Sequence, residues 1–117
     1  MNGKDHREWR RIEVNIPAEG KILPASGAAV ACRVVNLNPD GLCFAAPETV
    51  RSGDAVSLLV DLKGEGPTRV QLKVAWAGWF EAFGEYRAGG RFDGTAVNEK
   101  RKFLRFYHVK LMSSLGG

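Results

Sequence analysis

The chain has 117 residues, 44% of them hydrophobic and 26% charged, which fits one ordinary globular domain and excludes a disordered or fibrous chain. Its formal net charge of +4 and pI near 9.3 favour anionic partners without choosing among them. No apolar run approaches the length of a membrane span, and Met1 to Arg11 carries no apolar stretch that would make a secretory signal, so the expectation is a cytoplasmic protein.

In chain order, residues 1–11 form a basic, polar arm with Lys4, His6, Arg7, Arg10 and Arg11. Nothing in it can bury itself, so it is expected to be mobile without a ligand. Ile12, Val14 and Ile16 then alternate with Glu13 and Asn15, which predicts a strand. Pro17 should bend it or place it at an edge, and Gly20 to Leu23 reads as its continuation. Pro24-Ala25-Ser26-Gly27 predicts a turn. A second strand follows at Val30 to Val35, and Asn38-Pro39-Asp40-Gly41 is strong turn chemistry, with Pro fixing φ and Gly tolerating positive φ; having no Cβ, Gly41 also leaves room for a backbone or base to approach closely.

Leu42 to Ala45 is short and strand-like, and Pro47 to Gly53 is a loop. Val56, Leu58, Val60 and Leu62 line one face of a fourth strand. Lys63 to Pro67 predicts a hairpin loop. Val70, Leu72, Val74 and Trp76 give the next face, in a run that continues through Trp79 and Phe80 and is therefore long or bulged. Trp76 and Trp79 read as core or barrel-rim residues. Tyr86 to Phe92 makes the last strand, loosened by Gly89-Gly90. From Val97 to Met112 the alternation gives way to helical spacing of Phe103, Phe106, Tyr107 and Leu111, and Gly116-Gly117 is not expected to extend that helix. Regular short strands with no βαβ spacing predict an antiparallel barrel or sandwich with a C-terminal helix.

Candidate chemistry is sparse. Cys32 and Cys43 have neither metal-ligand nor redox spacing and read as small apolar residues. His6 and His108 stand apart from any cluster, so no metal is expected. No catalytic pair sits at a usable spacing, which argues against an enzyme. Two motifs stand out. Arg7-Glu8-Trp9-Arg10-Arg11 is R-x-x-x-R, and Asn36-Leu37-Asn38-Pro39-Asp40-Gly41 is close to [D/N]-x-S-x-x-G.

In this order, each beside a strand-like segment, the two motifs resemble the PilZ family of small bacterial β-barrel domains. Further likeness lies in Pro47 to Leu58, Val74-x-Trp76 and Gly90-Arg91-Phe92, so it covers roughly residues 7 to 112. The resemblance implies a mainly β fold: a small six-stranded antiparallel barrel with a C-terminal α-helix, spanning 12–113 behind the arm at 1–11. It implies a receptor for cyclic di-GMP, with Arg7, Arg11, Asn36, Asn38 and Gly41 at the ligand, Trp9, Arg10 and Arg91 as secondary candidates, and no cofactor. Arginine suits such a ligand because its planar fork bonds guanine O6 and N7 or pairs with phosphate. Asn38 departs from the family's serine, and its extra length predicts weaker binding or a shifted contact. The ordered arm would then meet a downstream protein partner. A PilZ-like adaptor that binds no cyclic di-GMP is the alternative. Nucleic-acid binding ranks last, because the Arg69-Gln71-Lys73 face carries no aromatic for base stacking.

Overall fold

A computed structural model describes residues 11–23 and 29–116. Six strands are connected in chain order: β1 (Ile12–Leu23), β2 (Val30–Asn38), β3 (Gly41–Ala46), β4 (Ala55–Leu62), β5 (Gly66–Phe80) and β6 (Glu85–Phe92). They close into a barrel in the spatial order β1-β2-β3-β6-β5-β4, every neighbouring pair antiparallel. One helix follows, α1 (Val97–Gly116). The expected six-stranded barrel with a C-terminal helix is the observed fold. The arm at 1–10 and the turn at 24–27 lie outside the described residues.

Alternation explains which faces are buried. Val56, Leu58, Val60 and Leu62 of β4 turn inward, as do Val70, Leu72 and Val74 of β5. With Val34, Leu37, Leu42 and Phe44 they fill the barrel. Pro17 does not interrupt β1. It pairs with Arg33 of β2, one residue before β4 joins the other side at Ala18↔Val60. Its missing N–H therefore falls where β1 has a single ladder partner, which is where proline is tolerated.

The helix plugs the barrel. Phe103, Phe106 and Tyr107 are buried and belong to the same core as the strands, and the Phe103 ring meets Phe92 edge-on at 4.7 Å. The approach to α1 is stitched to β5. The Asp93 N–H donates to Gln71 O at 2.8 Å, Thr95 Oγ1 both accepts from and donates to the Gln71 backbone at 2.8 Å, and the Arg69 N–H donates to Glu99 Oε1 at 2.7 Å. The helix runs to Gly116, past the expected end at Met112. Ser113 and Ser114 do not break it, and Ser114 Oγ donates back to Leu111 O at 3.0 Å, a contact compatible with helical backbone. Phe103→Ala should cost about 3–5 kcal/mol, measured by urea unfolding; a loss under 1 kcal/mol would mean that α1 is an ornament on a self-sufficient barrel.

Candidate functional site

The barrel register lays two cross-strand rows on the outer wall. Asn36 pairs with Cys43, Cys43 with Gly89, and Gly89 with Trp76. Asn38 pairs with Gly41, Gly41 with Arg91, and Arg91 with Lys73. Since Asn36 and Asn38 are two apart on β2, they share a face. The hairpin at Pro39-Asp40 then brings Gly41 opposite Asn38. A cleft of about 360 Å³ opens on these rows, lined by Arg11, Asn38, Asp40, Cys43, Trp76, Gly89 and Arg91 among others.

Trp76 owes its outward position to a bulge. Leu72 and Val74 point into the core, so plain alternation would send Trp76 inside with them. The register shifts between Val74 and Trp76, and the extra residue, Ala75, turns Trp76 out to 44% exposure. Its indole then lies down on β6. A Cβ added to Gly89 would come within 2.2 Å of the indole nitrogen, so only glycine lets the ring rest there. Of the expected core or barrel-rim placement of Trp76 and Trp79, the core option is overturned: both are exposed.

Gly41 meets the expected close approach but not the positive φ. A Cβ at Gly41 would meet the Gly90 carbonyl oxygen at 2.0 Å, so the glycine serves the close passage of β3 against β6. Asn38 caps its own turn: the Asp40 N–H donates to Asn38 Oδ1 at 2.9 Å. Asn38 also lines the cleft, with its NH₂ in no hydrogen bond among the described residues. Asn36 sits behind the lining, 8% exposed. Its Oδ1 is buried without a hydrogen-bond partner among the described residues. Burial pushes the Cys43 thiol above its ordinary range, while the Asn36 amide and the Arg11 charge pull it back.

Arg11 and Arg91 form no ion pair among the described residues, and both line the cleft together with Asp40. Arg7, Trp9 and Arg10 lie outside the described residues. Sequence reasoning missed Trp76, Gly89, Asp40 and Cys43 as cleft residues. The bulge hid the first, and Gly89 read only as a weak point in a strand. No group of His, Cys, Asp and Glu suited to a metal occurs among the described residues, and none of their helices is long and apolar enough to cross a membrane.

Comparison with known proteins decides the family, because the PilZ domain matches residues 5–108. The chain belongs to the PilZ domain family. No curated protein is a detectable relative by sequence. Among solved structures, the PilZ domain with c-di-GMP of YcgR from Escherichia coli is similar at TM-score 0.68 and 14% identity, covering 92% of this chain and 93% of that one. Bacillus subtilis MotI/DgrA, an inhibitor of motility, gives 0.71 and 10%, over 94% of this chain and 52% of its own. The K. pneumonia MrkH-c-di-GMP complex gives 0.65 and 11%, over 94% and 53%. This PilZ chain thus spans about half the length of MotI/DgrA and of MrkH.

Gly89→Ala should lift the indole off β6. We expect a cost of about 1–2 kcal/mol in unfolding free energy and a red-shifted tryptophan emission. Unchanged emission would show that the indole does not depend on the missing Cβ.

Proposed function

We propose that this PilZ domain is a cyclic di-GMP receptor, a binding module rather than an enzyme, working in the cytoplasm. The observation that carries the reading is the cleft itself: an exposed indole resting on Gly89 of the barrel wall, with Arg11 and Arg91 beside it, neither in an ion pair among the described residues. Cyclic di-GMP offers two phosphodiester anions and two guanines, which need positive charge, a stacking surface and edge-reading groups.

Each part has a role. Trp76 stacks on one guanine. Arg11 and Arg91 pair with phosphate or with guanine O6 and N7, and Arg7 joins them from the arm. Asn38 donates from its free NH₂. The Asp40 carboxylate is an acceptor suited to the guanine N1–H and N2–H₂ donors, and Asn36, buried behind the lining, backs the wall rather than reaching the ligand directly. Binding pins the R-x-x-x-R arm against the wall, and the ordered arm meets a downstream protein. Asp40 and the longer Asn38 favour the other reading, an adaptor that recognises a protein without the nucleotide.

Isothermal titration separates the two. Binding of cyclic di-GMP should exceed that of GMP and cyclic di-AMP. Arg11→Ala and Arg7→Ala should each weaken it by about 1.5–3 kcal/mol, and Trp76→Ala by about 1–3 kcal/mol. No heat at high micromolar protein sinks the receptor reading and leaves the adaptor.

Asn38→Ser should retain or improve affinity, because the serine hydroxyl still accepts the Asp40 N–H and frees space over the cleft. A large loss on titration would mean that the Asn38 NH₂ makes a contact of its own.

A further inference from the structure

β5 runs on past β4. Their pairing ends at Ala55↔Lys73, and Val74 then exchanges 2.8 Å hydrogen bonds with Gly53 and Asp54. Ser52 Oγ donates to Ala75 O at 3.1 Å. From Trp76 to Phe80, β5 pairs with β6 alone among the described residues. The Phe80 carbonyl accepts the Phe83 and Gly84 N–H groups at 3.0 Å, so it points into the hairpin. At the strand period of two, the peptide groups of Ala77 and Trp79 point the other way, toward an edge that no described strand covers.

Such an edge is a template for another strand, and sheets usually guard it with charge or proline. This one has neither. Residues 75–80 read Ala-Trp-Ala-Gly-Trp-Phe. Around it stand Trp76 at 44%, Trp79 at 49%, Phe80 at 38% and Phe83 at 59% exposure, an apolar patch of the kind that marks an interface. Arg87 lies over the Phe83 ring at 4.3 Å, but its charge is engaged by Glu85 at 2.9 Å.

We propose that this edge pairs with the same edge of a second copy, antiparallel and centred on Gly78. The register follows from the geometry. A two-fold axis at Gly78 sets Ala77 against the partner's Trp79 and Trp76 against the partner's Phe80. The outward peptide groups of Ala77 and Trp79 then meet as a hydrogen-bonded pair, twice in the dimer. Gly78 keeps the axis clear of side chains. A small residue faces a large one on one side of the ribbon, and aromatic faces aromatic on the other. No charge is opposed to its like. A closed, isologous contact results. A foreign extended peptide would use the same backbone groups, but the side-chain match is met by the chain's own sequence.

Sedimentation across a range from low to high micromolar tests this. The protein should show a concentration-dependent dimer. A Cβ at Gly78 would meet only Phe80 Cε1, at 4.0 Å, so the monomer accommodates Gly78→Lys. In the dimer two lysines would confront each other at the axis. Gly78→Lys should therefore weaken self-association by about tenfold or more with its melting temperature retained, and mixing it with Gly78→Glu should restore a heterodimer. Under mild oxidation Gly78→Cys should cross-link to itself, whereas Lys63→Cys, at the opposite hairpin, should not. A monomer at high micromolar protein overturns the proposal, as does a dimer that Gly78→Lys leaves intact. A monomer whose edge captures an extended peptide from a partner also overturns it, in favour of a foreign strand.

Discussion

One extra residue in β5 fixes where the aromatic end of that strand faces. Val74 and the residues before it obey a strict alternation, with Leu72 and Val74 inside the barrel. Ala75 occupies the bulge between Val74 and Trp76. A bulge leaves one residue unpaired and flips the face of everything after it. Trp76 therefore lies on the outer wall above Gly89, while Ala77 packs against the core opposite Ala88. Without that flip the barrel would have to admit an indole among side chains that already fill it, and the wall would lose its stacking surface.

The wall under Trp76 is low by composition. Moving away from the indole, the row holds Gly89, then Cys43, then Asn36, and Val35 and Ala45 lie beside it as a small apolar cluster with Cys43. Small side chains leave a depression on a surface that would otherwise be covered by the polar chains of a solvated β-face. Two glycines act as spacers for different reasons. Gly89 makes room for a side chain, and Gly41 makes room for the Gly90 carbonyl on β6. A methyl on the first moves a ring that has open solvent to move into. A methyl on the second presses backbone against backbone, where nothing can yield cheaply.

Much of this was legible in the sequence, because alternation and turn chemistry are local signals. Val56 to Leu62, Val70 to Val74 and the Asn38 to Gly41 turn could be read directly, and the period change at Val97 announced α1. The two asparagines could be put on one face by counting in twos. The rest depended on register, which no local pattern records. That Cys43, Gly89 and Trp76 stand in one row follows from which residues of β3, β6 and β5 sit opposite each other. Gly89-Gly90 reads as a weakness until the indole above Gly89 is seen. The missing Cβ of Gly41 could be read as room for a close approach, but that the approaching group is the Gly90 carbonyl of β6 is again a matter of register.

The same register gives β5 two exposed features that meet at Trp76. Toward β6 the strand presents the indole to the cleft. Toward the other side, past Ala75, it presents peptide groups to an uncovered edge. The Trp76 and Phe80 rings lie 6.5 Å apart, on the side of β5 where Arg87 bridges Phe80 and Phe83. Aromatic contacts of this kind carry about 0.5–1.5 kcal/mol each, enough to bias the orientation of a ring but not to lock it. Among the described residues the hairpin beyond the bulge lacks a second ladder; it is held by β6, by these ring contacts, by Ala77 against the core and by the ion pair from Arg33 of β2 to Glu85 at 2.7 Å.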